Sequence, residues 1–184
     1  MRRLLARLRS EQRGYSLVEL LVSMGILGSV MTSVSVLLVS ATKSEVDMNR
    51  RFQAQTQARI GLDLMRREVH CAMSVSPAGA AASVTLTIPA TCPTSGGNTS
   101  ITWCTVANGT NRWGLWRYPG GTCSGTGRLY ADYLTASSIF TYTAQTVDKL
   151  AFLNVRLPIN IKPSEPRFLY NLQDDIVLRN STRS

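Results

Sequence analysis

One carboxylate in this chain stands where a carboxylate is costly. Glu19 lies four residues into an apolar segment that opens at Tyr15, and no Asp, Glu, Lys or Arg follows between Leu20 and Thr42. On insertion scales a charge at the centre of a membrane helix costs about 2.5–3.5 kcal/mol, and less near its end. Such a group either snorkels to the headgroups or finds a counter-charge, which makes Glu19 a candidate functional residue. Five positions before it is the step Gly14–Tyr15.

The remaining reactive side chains are few. Cys71, Cys92, Cys104 and Cys123 form no Cys-x-x-Cys pair, which argues against a zinc site, and no metal is expected. Two disulfides made in an oxidising compartment are the economical reading, with buried free thiols as the alternative. Four cysteines allow three connectivities. The sequential one, Cys71 with Cys92 and Cys104 with Cys123, closes two short loops and is the expectation.

His70 is the single histidine and adjoins Cys71. Neighbours on a helix point about 100° apart, so the two make a poor catalytic pair. The glycine-rich run Tyr118–Gly127 lacks the Gly-Lys-Ser/Thr ending of a phosphate loop and reads as a surface loop tied by Cys123. Trp103 and Trp113 read as core. Asp174–Asp175 lacks further oxygen ligands for calcium and reads as the start of a strand. No catalytic constellation emerges, so neither an enzyme nor a cofactor is expected.

The elements that position these groups differ sharply along the chain. All seven prolines of the 184 residues lie after Ser76, and no charged residue occurs between Glu68 and Arg112. Of the formal net charge of +9, four belong to the first fourteen residues, where Arg2, Arg3, Arg7, Arg9 and Arg13 face only Glu11. A basic cluster before a long apolar run sets membrane orientation, with the amino terminus in the cytoplasm and the rest outside. About 20 helical residues cross a bilayer core, and the run from about residue 16 to 41 is long enough. A cleaved signal peptide ending at Val39-Ser40-Ala41 is the rival, but its apolar core is usually only about 7–15 residues.

Beyond Lys43 the helix pattern continues over about 43–74. Ala58, Leu62, Met65, Val69 and Ala72 recur at steps of four and three, an amphipathic stripe. Arg59, Asp63, Arg66, Arg67 and Glu68 fall on the opposite positions, with Asp63 and Arg67 at a favourable four-residue spacing. Gly61 within it costs about 1 kcal/mol relative to alanine. From Pro77 the sequence turns to strands: Ser83–Ile88, Ile101–Val106, Trp113–Tyr118, Phe140–Tyr142, Lys149–Leu157 and Ile176–Leu178. The expected class is α+β, a long helix packed on a mainly antiparallel sheet.

Gly14-Tyr15-Ser16-Leu17-Val18-Glu19-Leu20-Leu21-Val22, behind a basic leader and ahead of an apolar helix, resembles the processing motif of type IV prepilins and pseudopilins. The resemblance implies the pilin fold, cleavage between Gly14 and Tyr15 by a prepilin peptidase, and N-methylation of Tyr15. It also implies that Glu19 pairs with the new amine, on its own chain or on a neighbouring subunit, during filament assembly. A second stretch, Ala58–Val69, is similar to J- and W-type minor pilins.

These readings divide the chain into a cleaved cytoplasmic leader (1–14), a long helix (15–76) and a disulfide-bearing head (77–184). The expected function is a structural subunit, a minor pilin of a type IV pilus or a related pseudopilus. Its partners would be the peptidase, other pilins, the assembly platform and membrane lipids. The precursor would sit in the cytoplasmic membrane with its head outside, and the mature subunit in a surface pilus or periplasmic pseudopilus. Alternatives are a type II secretion minor pseudopilin and a pilin-like receptor for DNA uptake or adhesion. Net charge and tryptophans permit nucleic-acid binding without requiring it.

Overall fold

A computed structural model describes residues 15–180. The expected leader and Gly14 lie outside the described residues. The first element is a single helix, α1 (Leu17–Cys71), of 55 residues. The chain divides into two compact units, one reaching to Asp47 and the other starting at Met48.

Within the first unit α1 is apolar and exposed. Leu17, Val18, Leu21, Ile26, Val30, Leu37 and Val39 each leave half or more of their surface uncovered. This part of the helix is long and apolar enough to cross a membrane by length and composition.

Within the second unit the rest of α1 packs on a curled antiparallel sheet, giving an α+β pilin-like architecture. The strands are β1 (Ser74–Ser76), β2 (Gly79–Ala81), β3 (Ser83–Thr87), β4 (Ser100–Ala107), β5 (Trp113–Pro119), β6 (Arg128–Leu134), β7 (Phe140–Thr143), β8 (Phe152–Ile159) and β9 (Tyr170–Val177). They run β1-β3-β4-β5-β6-β8-β7-β2, with β9 added to β8. One edge of β8 holds β9 along residues 152–159; the other is shared by β7, at 152–155, and by β6, which meets it only through Leu134 and Ile159.

The core explains why this stretch of helix forms. Ala58, Leu62, Met65, Val69 and Ala72 are all buried, joined by Ala54 and Gly61. They meet Trp103, Leu115, Phe140, Leu153, Val155 and Leu157 from the sheet. On β8 the odd-numbered residues 153–159 are buried and the even ones face away, as a period of two requires.

The helix ends at Cys71, three residues earlier than its amphipathic pattern suggests, because the chain turns directly into β1. Three strands carry no clear sequence signal. β1 and β2 are three residues each, and β6 opens on Arg128 and contains Asp132. The last strand is longer than Ile176–Leu178 and begins at Tyr170. Its two aspartates are compatible with a strand because Asp174 bonds Arg66 and Asp175 accepts from Asn154.

Gly61 has a packing reason. A Cβ there would lie 3.0 Å from the Cβ of Tyr130, so glycine lets α1 approach β6. Gly61→Ala should therefore fail to deliver the helix-propensity gain of about 1 kcal/mol. Overpacking costs about 1–3 kcal/mol, and a lower midpoint in a thermal or urea melt of the full chain is the expected result. A raised midpoint would show that Tyr130 yields.

Candidate processing and assembly site

The amino-terminal groups come together around the start of α1. Tyr15 precedes the helix and is 80% exposed, and Glu19 falls in the first turn. Ser16 accepts the first helical hydrogen bond, Leu20 N–H donating to its carbonyl at 3.1 Å. Ser16 and Glu19 thus have the spacing of a capping box, a signal in the sequence that the reading of Glu19 as an anomaly overlooked. The positive end of the helix dipole favours a carboxylate at this turn. Glu19 is accordingly less isolated than its apolar neighbours suggest, and it remains exposed beside Tyr15.

Further along, each hydroxyl with a described bond is satisfied by the helix itself. Ser23 donates to Leu20 O, Ser29 to Ile26 O, Thr32 to Gly28 O, Ser33 to Ser29 O and Ser35 to Met31 O, at 2.8–2.9 Å. Back-bonding of this kind hides polar groups from an apolar surrounding, as a lipid or helix-packed setting demands.

In the head the cysteines pair sequentially. Cys71 joins Cys92 and Cys104 joins Cys123, each with Cα atoms 6.1 Å apart. The first ties the last residue of α1 to the segment after β3, and the second ties β4 to the glycine-rich loop. Cys71 is engaged in its disulfide, and the Nδ1–H of the neighbouring His70 donates to the Val177 carbonyl at 2.9 Å.

Glu68 corrects the solvent-face reading. It is fully buried. Its Oε2 accepts Trp103 Nε1–H at 2.7 Å and its Oε1 accepts Arg117 Nε–H at 2.7 Å. Arg117 also donates to the Thr94 carbonyl at 2.9 Å, linking helix, β4, β5 and the Cys92 segment. Burial pushes the Glu68 carboxyl above its ordinary value, against the opposing pull of Arg117 and of the Trp103 bond. The sequence holds a hint: a carboxylate next to Val69, on the flank of the apolar stripe, needs a polar partner on the sheet.

The expected Asp63–Arg67 pair is replaced. Asp63 bonds Arg66 at 2.8 Å, and Arg66 reaches on to Asp174 at 2.8 Å. Arg66 thus bridges a carboxylate on its own helix and one on β9. Of the three tryptophans, Trp103 is buried while Trp113 and Trp116 are half-buried.

Residues 9–35 match the family model described as the prokaryotic N-terminal methylation motif. No curated protein and no solved structure matches the chain. The matched segment covers the Gly14–Tyr15 step, Glu19 and most of the apolar run, and the motif points to a structural protein more than a catalytic one. Ahead of an apolar helix and an antiparallel head, the motif indicates a type IV pilin- or pseudopilin-like precursor.

Proposed function

We propose that the chain is a prepilin whose mature form is a minor subunit of a type IV pilus or related pseudopilus. The methylation motif at residues 9–35 supports the prepilin part of this reading, because it joins Gly14, Tyr15 and Glu19 to an apolar helix in one segment, and the Ala58–Val69 stretch with the large head favours a minor subunit. A prepilin peptidase cuts between Gly14 and Tyr15, and Tyr15 is N-methylated. Before assembly, about residues 16–41 anchor the precursor in the cytoplasmic membrane, with the disulfide-bearing head outside.

Cutting creates a positive amine on Tyr15, four residues from Glu19. In a neighbouring subunit's apolar surface that amine is the natural counter-charge for the carboxylate, and the pairing sets the register of one helix on the next. The two steps separate by mutation. Co-expressed with a prepilin peptidase, the chain should yield a mature form beginning at methylated Tyr15, read by mass spectrometry. Gly14→Asp should block cutting. Glu19→Ala should still be cut but should not enter filaments. A mature form beginning at Thr42 would establish the signal-peptide reading instead.

A further inference from the structure

The head carries a groove that neither membrane anchoring nor processing uses. It opens on the far side of the sheet from α1, where the chain between β6 and β7 leaves the edge of β8. That segment is pinned at both ends: Thr135 N–H donates to Pro158 O and Arg156 N–H donates to Ile139 O, each at 2.9 Å. Between the pins residues 136–138 make no described backbone bond to β8, and a concavity of 350 Å³ opens there. That volume is at the small end of the range of about 300–1,000 Å³ for ligand sites.

Its lining sorts into two kinds. Ala136, Pro158 and Leu169 give an apolar floor, and Leu169 is 44% exposed. Arg156, Ser138 and Asn171 contribute a guanidinium, a hydroxyl and an amide. The register places Asn171 opposite Pro158, and the alternation of β8 turns Arg156 and Pro158 away from the core.

No carboxylate among the described residues lines the groove. Among the described residues the Arg156 guanidinium makes no hydrogen bond or ion pair, and the nearby Asp175 is engaged by Asn154. An unpaired arginine in a concavity favours an anion, and its fork geometry suits a carboxylate held through two parallel bonds. The fork suits phosphate too, but one cation balances only half of a phosphate dianion, whereas the apolar floor suits the side chains flanking a single acid.

We infer that this groove binds an aspartate or glutamate side chain within an extended, partly apolar peptide segment of a partner protein. Arg156 holds the carboxylate, Ser138 and Asn171 complete its hydrogen bonds, and Leu169 with Pro158 packs the flanking residue. The site is independent of how the amino terminus is processed.

The test uses the full chain in detergent micelles and a fluorescein-labelled, end-blocked hexapeptide alternating leucine, alanine and aspartate. Fluorescence anisotropy should show saturable binding, weakened about tenfold or more by Arg156→Ala, as loss of a charged hydrogen bond implies. Arg128→Ala, an exposed arginine outside the groove, should leave it unchanged. The matching asparagine peptide should not compete. Equal binding by the asparagine peptide, indifference to Arg156→Ala, or no saturable binding would overturn the proposal. Displacement by inorganic phosphate at the peptide's own concentration would also overturn it, by showing a general anion site. Circular dichroism of the Arg156→Ala variant confirms that any loss is not unfolding.

Discussion

Glu68→Ala should destabilise the head by about 3–5 kcal/mol, the cost of breaking a buried ion pair from one side. The substitution removes a fully buried carboxylate and leaves two donors behind it. Arg117, only 17% exposed in its side chain, loses its counter-charge, and the Trp103 indole N–H loses its acceptor. The Trp103 indole is fully buried, and Arg117 keeps only its bond to the Thr94 carbonyl. Glu68→Gln should cost less, because the amide oxygen still accepts from Trp103. The double variant Glu68→Leu with Arg117→Leu should recover much of the loss, since an apolar pair of similar volume is often as stable as the ion pair it replaces.

The pH dependence has a definite sign. The Glu68 carboxyl is raised in the folded head, mainly by burial. Between its ordinary value and the raised one, the folded state holds a proton that the unfolded state has lost. Stability from this group therefore grows as pH falls through the raised value and declines as pH climbs back. Glu68→Gln should abolish that component of a urea titration followed across the acid range. Trp103 fluorescence, which senses the bond to Glu68, should shift over the same interval in the parent chain and stay flat in the variant. A pH-independent parent titration would show that Arg117 holds the carboxylate at its ordinary value.

Most of the architecture was legible because each signal is local. Glu19 and the uncharged run after it are contiguous, and the Ala58–Ala72 stripe repeats at the helix period. The apolar stripe coincides with the buried face of α1 because five residues share one physical demand. Glu68 escaped the same logic. Its class, charged on a helix, points to solvent in isolation, and only the approach of Trp103 and Arg117 from two strands reverses it. Strand β6 was hidden for a related reason: Asp132 looks like a turn residue until Arg112, twenty positions away, accounts for it. The Arg156 groove is less legible still, because it depends on where the chain between β6 and β7 parts from β8. Long-range pairing, not residue type, decides these cases.

Replacing Cys71 and Cys92 by serine should lower stability by about 3 kcal/mol, and replacing Cys104 and Cys123 by nearly the same amount. The loops they close have separations of 21 and 19 residues, and loop-closure entropy varies only with the logarithm of length. The two bridges should differ in what they are coupled to. The Cys92 segment also receives the Arg117 guanidinium through the Thr94 carbonyl, so it shares a network with Glu68. Cys123 sits in an exposed loop whose nearby hydroxyls, Thr122 and Ser124, bond one another. Combined with Glu68→Gln, loss of Cys71–Cys92 should give a non-additive change of at least about 0.5 kcal/mol in urea melts, whereas loss of Cys104–Cys123 should add to within about 0.5 kcal/mol. Additivity in both cycles would mean that the Thr94 contact does not carry strain between the bridge and the buried carboxylate. Coupling in the first alone would identify the disulfide, Arg117 and Glu68 as one unit fastening the end of the helix to the sheet.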